Sequence, residues 1–146
     1  EKEICMEKTE IERKVAQAVE LHKRGYNCSQ CVVMTFAEDL GLNADVAESM
    51  SAAFGGGVAK MKEVCGCVSA MAMLAGFVRG NKNQEGKTDL EKTYDWTKSL
   101  ADEFRDECGE IICKRLRGIE AGNTKPIRPC RELISSAVRM VGRKID

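Results

Sequence analysis

The stretch from Val58 to Gly80, VAKMKEVCGCVSAMAMLAGFVRG, limits the possible folds more than any other part of the chain. It follows the triple glycine Gly55-Gly56-Gly57 and closes at Gly80, a left-handed stop after Arg79. No charge interrupts it between Val64 and Val78, so it reads as a central helix buried on most sides rather than a surface helix with one wet face. Gly66, Ala70, Met73 and Gly76, with Ser69 beside them, recur at helical spacing and would let neighbouring backbones approach closely. The uncharged run is shorter than the ~18 residues of a membrane span and is edged by Lys62, Glu63 and Arg79. A buried helix of a water-soluble bundle is the consistent reading, with Cys65 in its first turn.

The rest of the sequence supports an all-α class. Strand-like alternation is scarce, and the only two prolines come late, at Pro126 and Pro129. A chain of 146 residues is one domain's worth, read as a single helical cysteine-rich domain over 1–146 that buries roughly 70% of its unfolded surface. Twenty-three basic residues offset twenty-three acidic ones, so no net field recruits nucleic acid or an anionic membrane. The N-terminus EKEICMEKTEIERK lacks the apolar core of a secretory signal, which makes the cytoplasm the expected compartment. Eight cysteines are many for such a domain but fewer than in a disulfide scaffold, which favours chemistry over stapling.

Read in order, Thr9 and Glu12 form a capping box for a first helix with Ile11, Val15, Ala18, Val19 and His22 on one face, ended by Gly25. His22, the only histidine, reads as structural or surface. Asn27 and Gln30 form a second box, placing Cys28 first in its helix and Cys31 one turn on, with Val32, Phe36, Ala37 and Leu40 buried up to Gly41. Asn43 opens a third helix with Val46, Ala47, Met50 and Phe54 inward. The glycine run lacks the lysine-serine ending of a phosphate loop and reads as a hinge or close-contact turn. Thr88 and Glu91 cap a fifth helix carrying Leu90, Tyr94, Thr97, Ala101 and Phe104 up to Gly109. A short segment around Ile112, Cys113 and Leu116 follows. Pro129 then starts a last helix with Cys130 in its first turn and a stripe of Leu133, Ile134, Ala137, Val138 and Val141.

Cys28, Cys65 and Cys130 thus share the electropositive first turn of a helix, an environment that lowers a thiol's pKa from about 8.5. Cys5 and Cys108 read as packing residues. Two chemistries fit the first-turn set. A dithiol can cycle with a disulfide, and C-S-Q-C at Cys28 and Cys31 has the spacing of an attacking and a resolving thiol. Alternatively four thiolates hold zinc or an iron-sulfur cluster, drawn from Cys28, Cys31, Cys65 and Cys67 or from one cysteine on each of four segments. Cys65 and Cys67 would point to nearly opposite sides of a continuous helix, so they can share a site only if the helix starts after Cys65.

The sequence resembles the redox-active proteins named for a C_GCAxxG_C_C pattern, with a CGAxxG motif and four signature cysteines. NCSQ corresponds at Cys28, CGCVSA at Cys65, IICKRL at Cys113 and RPCREL at Cys130. Within the box, Cys67 stands where the family has alanine and Ala70 where it has glycine. The resemblance implies thiol redox or metal chemistry at Cys28, Cys65, Cys113 and Cys130. It alone selects Cys113, whereas spacing alone selects Cys31.

The expected protein is therefore a compact bundle of about six helices with the signature cysteines gathered at one end. Its expected function is dithiol/disulfide electron transfer, which as an enzyme would be a thiol-disulfide oxidoreductase and requires no cofactor. The alternative is zinc or an iron-sulfur cluster on Cys28, Cys65, Cys113 and Cys130, and a third reading is a non-enzymatic helical interaction module. A redox partner protein or a small thiol is the expected partner, with homo-oligomerisation open and neither nucleic acid nor a membrane span expected.

Overall fold

A computed structural model describes residues 6–146, so Cys5 lies outside the described residues. They form helices α1 (Lys8–Lys23), α2 (Cys28–Ala37), α3 (Ala44–Ser51), α4 (Gly66–Arg79), α5 (Leu90–Cys108), α6 (Cys113–Leu116) and α7 (Cys130–Lys144). Short 3-10 turns, Glu38–Leu40 and Ala52–Phe54, continue α2 and α3. The architecture is all-α, and among the described residues no helix is long and apolar enough to cross a membrane.

Helix α4 lies at the centre, packed on α2, α5 and α7. Its Cys67, Ala70, Met71, Leu74 and Ala75 are fully buried and meet Phe36, Leu100, Phe104, Ile134 and Val138 in one core. Each large apolar side chain so placed contributes about 1.5–3 kcal/mol. The outer side of α4, at Ala72 and Phe77, is nevertheless exposed, so this helix does have a wet face. That face is apolar and uncharged, so charge patterning does not reveal it. Gly76 faces open space rather than a neighbouring backbone, and Gly80, with φ −90°, is not left-handed.

Several local expectations shift. Helix α1 begins at Lys8 behind Glu7 with no side-chain cap, so Thr9 lies inside it. Asp89, not Thr88, caps α5 by accepting from the Lys92 amide, and Pro129 is the cap residue before α7 rather than its first helical residue. The buried face of α5 is Trp96, Leu100, Phe104 and Cys108, while Leu90 and Tyr94 are exposed; Trp96 is pulled inward by donating Nε1 to the Lys144 carbonyl at 3.0 Å. On α3 only Ala47 is buried of the helical trio, because Val46 and Met50 are 49% and 40% exposed. The α7 stripe, by contrast, is buried at all five anticipated positions.

The largest departure precedes α4. Residues 58–65 are not helical, and Gly56, Gly57, Val58, Ala59, Lys60 and Lys62 all have φ between 51° and 71°. A left-handed conformation costs a non-glycine residue about 1–2 kcal/mol, so glycine alone cannot explain the run. Long backbone bonds hold it: Ala59 N–H to Ala53 O at 2.7 Å, Lys60 to Gly55 at 3.1 Å, Lys62 to Gly56 at 2.9 Å and Glu63 to Gly57 at 3.0 Å. The chain then pairs with the segment before α6 through an antiparallel bridge between Val64 and Ile112, where Cys65 N–H reaches Ile111 O at 2.8 Å and Cys113 N–H reaches Glu63 O at 2.6 Å. Replacing alanine by glycine ordinarily destabilises by roughly 0.5–1 kcal/mol. At exposed Ala59, with φ 51°, the sign should reverse, and Ala59→Gly is expected to raise stability by about 0.5 kcal/mol in chemical denaturation. An ordinary loss on that substitution would contradict the left-handed backbone.

Candidate functional site

The start of α2 is set locally. Asn27 Oδ1 accepts from the Gln30 amide at 2.9 Å while Gln30 Oε1 accepts from the Asn27 amide at 3.1 Å, the reciprocal box read from the sequence. The same two side chains reach across to α3, Asn27 Nδ2 donating to Ala52 O at 2.8 Å and Gln30 Nε2 to Glu48 O at 3.1 Å. The helix that carries Cys28 is thereby tied to the turn that launches the glycine run. The run then folds back over Cys28. A Cβ on Gly55 would lie 2.5 Å from the Asn27 side chain, and one on Gly57 would lie 2.8 Å from Cys113 Cβ.

Because α4 begins at Gly66, Cys65 is its cap residue and Cys67 lies in its first turn. The condition for both to face one site is met, and both sulfurs hydrogen-bond the Cys28 sulfur. The amides of Gly56 and Ser29 donate to it as well. Hydrogen bonds to the charged form favour that form. Four donors and the α2 N-terminus therefore hold Cys28 as a thiolate, well below the ordinary thiol range, and the donation from Cys65 is the largest cause. The donors pay the reciprocal shift. Cys65 is pushed up chiefly by its bond to Cys28, and Cys67 likewise, with burial adding to both. Three sulfurs thus share one negative charge, and Cys28 carries it.

The expectation that first-turn placement acidifies three thiols alike fails for two of them. Cys65 is a donor to the charge, and Cys130, although first in α7, is raised by burial and then by the Cys28 charge, against the lowering pull of Arg117 and Lys62. Cys113 is raised by burial too, with Arg117 and Lys62 again opposing.

Cys28, Cys65, Cys67, Cys113 and Cys130 all line one pocket of about 360 Å³, floored by the glycine run and by α4's first turn. The four signature cysteines are brought together there. Cys67 joins them, which the C-x-C spacing signalled only if the helix started late. Cys31 does not line the pocket. It is buried one turn further along α2, its thiol pointing to Tyr26 O at 3.6 Å, and burial pushes it up to about 12. Cys108 is buried away from the pocket, 3.4 Å from Arg128 Nη1. His22, read as structural or surface, lines the pocket with its Nδ1 accepting from Arg131 Nε at 3.1 Å. All seven described cysteines are free thiols. Among the described residues, no three or more His, Cys, Asp or Glu side chains are grouped so as to hold a metal ion.

No curated protein and no solved structure matches the chain. A family model does match, over residues 26–144, which takes in every element from the Asn27 cap to the end of α7. The signature cysteines that line the pocket all fall inside that span, and the chain belongs to the family described as "Putative redox-active protein (C_GCAxxG_C_C)".

Proposed function

We propose that the protein carries out thiol–disulfide exchange, with Cys28 as the attacking thiolate and Cys65 as the resolving thiol. The observation that supports this most is the set of four donors converging on the Cys28 sulfur, since the thiolate and not the thiol is the nucleophile. Cys28 S⁻ attacks one sulfur of a disulfide RSSR, forming Cys28–S–SR and releasing RS⁻. Cys65 gives up its proton, which that leaving thiolate takes, and attacks the Cys28 sulfur, forming a Cys28–Cys65 disulfide and releasing the second RS⁻. The substrate gains two electrons, the protein loses two, and two equivalents of a thiol reverse the step. Cys65 suits the second role better than Cys67. It lies outside the regular helix and makes the stronger of the two bonds to Cys28, whereas Cys67 is fixed within α4.

The local pair Cys28 and Cys31 is the weaker version of this chemistry, because the Cys31 thiol is aimed at the Tyr26 carbonyl and does not line the pocket, whereas the Cys65 thiol already bonds the Cys28 sulfur. The experiment is oxidation by a small disulfide followed by mapping of the linked cysteines. Cys65→Ser should stop at the Cys28 mixed disulfide, and Cys31→Ser should reach the intramolecular disulfide at a rate within about twofold of the parent. A trapped mixed disulfide in Cys31→Ser, with normal closure in Cys65→Ser, would transfer the resolving role to Cys31. Stoichiometric zinc or iron retained through anaerobic purification would replace exchange by a thiolate-ligated centre.

A further inference from the structure

The pocket's polar composition narrows what enters it. Lys60, Lys62 and Arg117 line it, and among the described residues no aspartate or glutamate does. Across a chain with equal numbers of acidic and basic residues, this local imbalance is a feature of the pocket rather than of the protein. Arg117 follows α6 and Lys62 lies in the left-handed run, so the two cations come from opposite sides of the antiparallel bridge that also carries Cys65 and Cys113. Both exert a lowering pull on Cys113 and on Cys130, placing their charges within reach of the sulfurs. Among the described residues neither Arg117 nor Lys62 makes an ion pair with an acidic side chain, and Lys62 Nζ donates to the Lys60 carbonyl at 3.5 Å. The volume, about 360 Å³, is that of a small-molecule site and not of a protein-docking groove.

Resting on the exchange reading above, we infer that the substrate is a small disulfide, or the thiol derived from it, that bears carboxylates, held by Lys62 and Arg117 while its sulfur meets Cys28. The cations do two things for such a molecule. They concentrate the anion at a site whose own thiolate would otherwise repel it, and they stabilise the RS⁻ that leaves when Cys28 attacks. Complementary charge in a walled cleft raises association rates by about 10–10³-fold, and salt removes that gain.

The test is the second-order rate of oxidation of the reduced protein by three matched probes: dithiodipropionate (anionic), bis(2-hydroxyethyl) disulfide (neutral) and cystamine (cationic). The anionic probe is expected to react about tenfold or more faster than the neutral one and the cationic probe slowest, with the spread collapsing at about 1 M salt. Lys62→Gln and Arg117→Gln should each shrink the anionic-to-neutral ratio several-fold, and the salt series on the unaltered protein serves if either variant misfolds. Equal rates for all three probes would overturn the substrate class and leave exchange standing. Failure of every probe to oxidise Cys28 would overturn both.

Discussion

Between about pH 8 and about pH 5 the rate of alkylation at Cys28 should stay level within about twofold, whereas an ordinary thiol slows about tenfold per pH unit and so about a thousandfold in all. Hydrogen bonds from the Cys65 and Cys67 thiols and from the Gly56 and Ser29 amides favour the charged form of the Cys28 sulfur, so it persists where other cysteines are protonated. Mass-spectrometric labelling resolves the residues, and Cys130, partly buried in the same pocket but raised, supplies the internal contrast. A Cys28 profile that falls in parallel with Cys130 would remove the thiolate from the mechanism. The same asymmetry enters stability. Cys28 is a thiolate when folded and a thiol when unfolded, so folding releases a proton between the two pKa values. A lowered group contributes stability that is complete above its unfolded pKa and is lost as pH falls toward its folded one. Between about pH 6 and pH 8 the unfolding free energy should therefore rise by up to about 1.4 kcal/mol per pH unit on account of Cys28. The raised thiols of Cys65 and Cys67 act with the opposite sign, but only above the ordinary thiol value, outside that window. In Cys28→Ser the slope should flatten.

Gly66→Ala should damage the site out of proportion to its size. Alanine at the start of a helix is usually an improvement of roughly 0.5–1 kcal/mol over glycine. Here the added Cβ would lie 2.5 Å from Cys28 Sγ and 2.9 Å from the Phe54 carbonyl. The carbonyl is backbone of the turn that begins the glycine run and cannot yield cheaply, so a loss of about 1–3 kcal/mol is expected, as for overpacking in a core. The sulfur can yield, by rotating out of its donors. The labelling profile of Cys28 at about pH 5 should then drop toward that of an ordinary thiol, a fall of two orders of magnitude or more. A stable Gly66→Ala protein with an unchanged Cys28 profile would show that the sulfur does not sit against α4.

Much of this was legible wherever the determinants are local. The Asn27 and Gln30 box needs only residues three apart, and the α7 stripe needs only its own periodicity, so both could be read directly. The all-α class follows from the same kind of signal. The segment from Val58 to Val64 could not be read this way. Its residues are neither turn formers nor breakers, and its left-handed path is imposed by carbonyls of residues 53–57 and by the strand-like pairing with Ile111 and Ile112. Apolar periodicity alone extends α4 back through it and places Cys65 inside a helix, whereas the start at Gly66 meets the one condition under which Cys65 and Cys67 share a site. The pKa directions of Cys65 and Cys130 are not legible in the sequence for a different reason. Helix-start placement does not act on each thiol independently: charges so close together compete, and the best-donated sulfur takes the charge while raising its neighbours. In α5, Leu90 and Tyr94 satisfy the apolar spacing as well as Trp96 and Leu100 do; the Trp96 bond to α7, a tertiary contact, decides between them.

The donors around Cys28 also fix a direction for the protein's reduction potential. They bind the sulfur as an anion, and a disulfide sulfur carries no charge for them to bind, so the cradle stabilises the reduced chain selectively. Stabilising the reduced form makes a disulfide a stronger oxidant. A bond formed between Cys28 and Cys65 would thus be held against the preference of the fold. The oxidised protein should be the less stable of the two forms, the reverse of what a structural cross-link does. On the exchange proposed above, the thermodynamically favoured direction is therefore the reverse step, in which the Cys28–Cys65 disulfide oxidises two equivalents of a thiol.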